Sequence, residues 1–303
     1  MTYSVGTSGE ELPAEVRSPQ YWSPWLLLIL VIWFVGLFTI AEDPVHLFAR
    51  NWVYIPIGFL GAFLGNISAV GGGIVFIPAV MFIFHLPPVT ALKVSIATQS
   101  WGMTSGAIGW LQNRVIPMTA LKIAVPGLLL GSIFSSLIVH PNALLVKLLF
   151  GPVSITLGVL SIFLINHPSV AQRKTMIPPD ATWPLFVASV VGGVITGWVA
   201  VGEGEIVTAL LMLAYGVEAT TCIALGVVLL SINSIFLTFI HTCFLGGIPW
   251  QIAGFTGLGS IFGARLAPWV GKAVDPRVLK AVFGVIAISD GTLFIVQYFI
   301  LHK

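Results

Sequence analysis

Apolar residues run along this chain in blocks about as long as a bilayer is thick, interrupted by short clusters of glycine, proline or charge. After a polar start an apolar stretch covers 25–41, and two sets of five follow: 52–69, 71–84, 90–110, 117–139 and 145–166, then 183–200, 203–215, 220–243, 249–271 and 278–301. The pattern predicts an all-α integral membrane protein with about 9–11 hydrophobic segments. The second segment of each set, about fourteen residues long, cannot cross a hydrocarbon core of about 30 Å at 1.5 Å per residue. It is expected to be a half-helix.

The two sets are diverged copies. At an offset of 131, Val70-Gly71-Gly72-Gly73 lies over Val201-Gly202-Glu203-Gly204, Gly61 over Gly192, Met81 over Met212 and Ser100 over Ser231. One inserted residue brings Ile116-Pro117 over Ile248-Pro249, Gly127 over Gly259 and Gly131 over Gly263, and one more brings Lys147 over Lys280. Apolar bias alone does not hold Gly, Pro, Lys and Ser in register. Five segments per copy is odd, so the second copy enters from the opposite face and the repeat is inverted, the arrangement of many secondary transporters.

The organisation expected is an N-terminal tail over 1–24, an extra helix and loop over 25–51, a first repeat over 52–166, a cytoplasmic linker over 167–182 and a second repeat over 183–303. Arg114, Arg173, Lys174, Lys272, Arg277 and Lys280 fall in or beside loops on one side. By the positive-inside rule that side is cytoplasmic, which puts the N-terminus inside and the C-terminus outside.

Composition narrows the partners. Only 8% of residues are charged and the formal net charge is +2, scattered rather than clustered, so lipid is the expected surroundings and nucleic acid is not a partner. Cys222 and Cys243 lie in apolar segments without metal-ligand spacing, and no cofactor or metal is expected.

The chemistry concentrates at the two glycine-rich breaks. Gly71, Gly72 and Gly73 would interrupt a helix near mid-membrane and leave N–H groups without intrahelical partners. Helix-terminal amides with no side chain in the way suit an anion, although small residues also let helices cross closely. In the second copy Gly202, Glu203, Gly204 and Glu205 place two carboxylates where the first has Gly72 and Ile74. Buried ionisable groups are expensive and therefore functional candidates, here for proton coupling, with capping of the half-helix as the other reading. At i and i+2 the two point to nearly opposite sides. Lys93 is a candidate counter-charge to the substrate or to these carboxylates, or a snorkelling side chain. Ser95 and Gln99 share one helix face, and Ser231, Ser234 and Thr238 form a stripe in the other copy with Asn233 beside it. These read as ligand contacts or as helix–helix hydrogen bonds.

At Gly71-Gly72-Gly73-Ile74-Val75-Phe76-Ile77-Pro78 and Ala97-Thr98-Gln99-Ser100 the chain resembles the sulfite exporter TauE/SafE family over about 52–300. The resemblance implies a bacterial cytoplasmic-membrane permease for sulfite, thiosulfate or organosulfonates. It extends an anion-site role to Gly71, Gly72 and Gly73, whereas Gly202-Glu203-Gly204-Glu205 departs from the second glycine triplet often found in the family. The function expected is secondary transport of a small sulfur-containing anion by alternating access, with protons as coupling partner. An anion channel is the alternative. A membrane-embedded enzyme using Glu203 and Glu205 is disfavoured, since no HExxH or GxSxG motif occurs.

Overall fold

The computed structural model describes residues 24–68, 71–112, 115–165, 176–273 and 276–301. The N-terminal tail up to residue 23, Arg114, and the linker positions Arg173 and Lys174 lie outside the described residues, as do the side chains of Lys272 and Lys280.

The chain is all-helical. An outlying α1 (Pro24–Ile40) leads to a short α2 (Pro44–Asn51), which starts where the Asp43 carboxylate accepts the His46 N–H at 3.0 Å and Pro44 supplies the first helical residue. The loop expected before the repeat is thus in part a helix. The first repeat comprises α3 (Tyr54–Ser68), α4 (Gly73–Pro78), which continues as a π turn over Ala79–Ile83, α5 (Pro88–Gln112), α6 (Met118–Ile133), extended by a π turn over Phe134–Ile138, and α7 (Ala143–Phe163). The second comprises α8 (Thr182–Val199), α9 (Glu203–Tyr215), α10 (Ala219–Cys243), α11 (Trp250–Ala273) and α12 (Pro276–Leu301).

Packing is unchanged when the repeats are exchanged. Helix α3 packs on α11 as α8 does on α6, α4 lies beside α3 and α5 as α9 lies beside α8 and α10, and α5 meets α11 as α10 meets α6. Helices α5 and α10, and α7 and α12, pack on their own equivalents. The correspondence reaches single atoms. Gly259 and Gly263 of α11 abut the carbonyls of Ile55 and Phe59, while Gly127 and Gly131 of α6 abut those of Phe186 and Val190, residues that are equivalent at the offset of 131. Paired glycines four apart bring the helix backbones together where lipid supplies no hydrophobic drive.

The same contacts reveal the inversion. Gly151 of α7 faces Gly291 of α12 and Gly158 faces Gly284, so equivalent helices run antiparallel. Helices α5 and α10 do likewise, with Lys93 bonded to Leu245 and Thr104 to Ser231. The pseudo-twofold axis therefore lies across the helices, as expected for an odd repeat.

Among the described residues, Met118–Ile138, Ala143–Phe163, Pro179–Val199 and Ala219–Cys243 are long and apolar enough to cross a membrane, and α2 with α3, bent by 51°, forms a fifth, broken stretch. Large side chains such as Leu130, Val159 and Phe239 are exposed on the outside, the surface lipid would cover. Helix α5 is long but carries its polar residues inward. The Thr98 and Thr256 hydroxyls lie 2.5 Å apart, Ser260 Oγ donates to the Thr98 carbonyl at 3.2 Å, and Arg265 Nε donates to Ser105 Oγ at 3.1 Å.

Glycine-to-alanine changes should separate these contacts from mere helix propensity, which favours alanine by up to about 1 kcal/mol. Gly131→Ala and Gly263→Ala place a Cβ into a facing backbone carbonyl, and each is expected to destabilise by about 1–3 kcal/mol as overpacking does. Gly109→Ala meets nothing and should be neutral or stabilising. Thermal midpoints in detergent check the reversal of sign.

Candidate functional site

The site forms where the two helix breaks face each other. Helix α3 stops at Ser68 and α4 starts at Gly73; α8 stops at Val199 and α9 starts at Glu203. Ala200 turns into the left-handed region at φ 56°, with its N–H closing on the Thr196 carbonyl at 2.8 Å. Gly202 follows at φ 122°, a conformation that strains any residue with a Cβ. Ala200, Val201 and Gly71 to Gly73 are all buried.

Glycine at 71 and 73 is explained by the opposite break. A Cβ on Gly71 would lie 2.8 Å from the Ala200 carbonyl oxygen and 3.0 Å from Gln99 Oε1, and one on Gly73 would lie 2.5 Å from the same carbonyl. Gly72 has no room beside the Phe76 ring, and Gly192 of α8 leaves space for the backbone of Glu203. The Ala200 carbonyl accepts Gln99 Nε2 at 2.8 Å, and Gln99 Nε2 also reaches Ser95 Oγ at 3.2 Å. Ser95 and Gln99 of the first repeat therefore hold the break of the second.

Glu205 joins the two breaks. One oxygen accepts the Gly202 N–H at 3.0 Å, the reach-back of a residue in the first turn of α9 to the position before it. The other accepts the Gly71 N–H at 3.2 Å, from the opposite repeat. Glu203 points elsewhere, as the i, i+2 spacing predicts. Its N–H donates to Thr196 Oγ1 at 3.1 Å, its Oε2 accepts Asn233 Nδ2 at 2.7 Å, and Asn233 Oδ1 accepts Ser132 Oγ at 2.6 Å. Glu203 is fully buried, and its Oε1, like Gln99 Oε1, has no hydrogen-bond partner among the described residues.

Two backbone amides from opposite repeats thus converge on one carboxylate, inside an inverted repeat whose exterior is apolar. Residues 54–292 match the profile of the family described as Sulfite exporter TauE/SafE. The chain belongs to that family. Neither a curated protein nor a solved structure shows a significant match to it.

Membership in the TauE/SafE family makes this a multi-pass membrane protein of the transporter type. Of the residues predicted for its site, Gly71, Gly72, Gly73, Ser95, Gln99, Gly202, Glu203, Gly204, Glu205 and Asn233 gather at the breaks. Lys93 does not join them through any direct bond. Its ammonium donates to the Leu245 carbonyl beyond the end of α10, and it makes no ion pair with Glu203 or Glu205 among the described residues. Ser231 pairs with Thr104 at 2.7 Å and Ser234 donates to the Leu230 carbonyl at 2.6 Å. Ser132 and Thr196 complete the site as well: Thr196 is an isolated hydroxyl in an apolar segment and carries no spacing signal, whereas Ser132, with Ser135 and Ser136 at i+3 and i+4, shows a polar stripe of the kind seen at Ser231, Ser234 and Thr238.

Asn233→Ala leaves Glu203 Oε2 buried without its partner and the Ser132 hydroxyl with only the Gly193 carbonyl at 3.4 Å. The expected cost is about 1–3 kcal/mol, read as a lower thermal midpoint, whereas Ser234→Ala, which removes only a bond to its own helix, should cost under about 1 kcal/mol.

Proposed function

We propose that this chain is a secondary transporter of small sulfur-containing anions, sulfite or an organosulfonate, in a bacterial cytoplasmic membrane, with its N-terminus inside and its C-terminus outside. One observation carries the reading: N–H groups from two broken helices in opposite repeats lie within 3.2 Å of a single carboxylate. A site that holds one oxyanion group in this way has the donors to hold another. Fixed amide dipoles compensate negative charge where water is scarce, and an inverted repeat allows the halves to rock about a site at their shared axis.

Glu203 serves as the proton carrier. It is fully buried, its Oε2 is held by Asn233, and its Oε1 is free to carry a proton. Protonating a carboxyl beside the site removes a negative charge that opposes an incoming anion, so binding should be tighter at low pH.

Calorimetric titration of purified protein with sulfite, thiosulfate, sulfoacetate, taurine, sulfate, acetate and chloride at pH 6 and pH 8 tests both claims. One sulfur anion should bind selectively and more tightly at pH 6, and Glu203→Gln should flatten that difference. Binding of chloride or acetate alone would sink the substrate assignment, and an unaltered pH dependence in the variant would remove Glu203 from the coupling.

A further inference from the structure

Glu205 occupies the very amides that an anion would use. Its two oxygens are each taken by one N–H, from Gly71 and from Gly202, and the side chain is 8% exposed. The equivalent residue of the first repeat is Ile74, so one acidic side chain serves both breaks. Beside it the buried Gln99 Oε1 lacks a partner among the described residues and is directed at Gly71. It is a place for a donor that the described residues do not supply.

We propose that Glu205 is a built-in anion: its carboxylate fills the amides of both helix breaks in the unloaded protein, and the transported anion binds by displacing it. This rests on the transport reading above and adds a competitor to it. While Glu205 is in place it ties Gly71 to Gly202, so the two repeats are clasped across the site. An oxyanion that takes over both N–H groups leaves the Glu205 side chain to swing away, and a ligand that also carries a hydrogen-bond donor gains the vacant Gln99 Oε1. The charges around the clasp are few. Glu203 and, at the far end, Tyr215 lie on the same helix, α8 and α4 bring no titratable group, α3 brings only Tyr54 at its start, α5 brings Lys93, and α10 brings Cys222, His241 and Cys243. Glu203 is thus the like charge on Glu205's own turn.

Hydrogen exchange followed by mass spectrometry on purified protein, without added anion, tests the clasp. Glu205→Ala should speed exchange at Gly71 and at Gly202 together, by tenfold or more, although the two lie in different repeats. Glu205→Gln, which keeps one acceptor oxygen and the shape of the side chain, should give a smaller increase and stands in if the alanine variant does not fold. Adding sulfite, or acetate as a plain carboxylate, should restore protection at both positions in the variants, and the variants should bind sulfite at least tenfold more tightly than the native protein.

Unchanged exchange at Gly71 in both variants would overturn the clasp, and measurable sulfite binding that is equal or weaker in the variants would overturn the competition. If sulfite binds the native protein and the variants alike, the transport reading stands and the built-in anion falls. If acetate restores protection while sulfite binds neither form, the built-in anion stands and the sulfur substrate falls.

Discussion

The constraint on which this architecture depends is that a helix broken away from water must give its freed N–H groups an acceptor. Here two helices are broken, and their ends meet. Gly71 of the first repeat and Gly202 of the second direct their amides to one carboxylate, that of Glu205 in the second repeat. The neighbouring Ala200 carbonyl is likewise satisfied across the repeats, by Gln99. The first break thus takes the acceptor for its Gly71 N–H from the second repeat, and the second takes the donor for its Ala200 carbonyl from the first.

The surrounding helices keep these ends in register by close contact. Without a hydrophobic drive between helices in lipid, association rests on packing and hydrogen bonds, and the glycine pairs at 127 and 131, and at 259 and 263, remove the side chains that would hold the backbones apart. Because α6 of the first repeat packs on α8 and α10, and α11 of the second on α3 and α5, each broken helix sits in a bundle finished by a helix of the opposite copy. The site thus lies between two interleaved bundles.

Most of this was legible in the sequence for a definite reason. Duplication leaves glycines in register, and short segments beginning at glycine clusters betray half-helices, so the breaks at Gly71 and Gly202 and the inversion could be anticipated. The opposed directions of Glu203 and Glu205 followed from helical geometry. What pattern could not reveal was partnership across the chain. That Glu205 would bond an amide 134 residues away, or that Ser132 would support Asn233, depends on how the bundles interleave. The short helix α2 does not stand out in the sequence because its eight residues are amphipathic rather than apolar, and charge alone does not decide between the site and a snorkelling position for Lys93, whose stem carries it to the Leu245 carbonyl.

The repeats share a backbone plan but not a chemistry, and that difference bears on how a transporter of this kind would work. The residues equivalent to Glu203, Asn233 and Ser132 are Gly72, Gly102 and Ala264. A Cβ on Gly102 would already crowd Ala62 and Ser260 at about 3 Å, so that bundle has no space for a matching polar triad. If two identical inverted repeats exchanged conformations, the inward-facing and outward-facing states would be related by symmetry and would have equal energy. Placing both carboxylates and the asparagine that holds one of them in the bundle of α8, α9 and α10 removes that degeneracy. Any change at Glu203 then acts within one bundle and not its partner, which is the differential interaction that a ligand or proton needs to shift a two-state equilibrium.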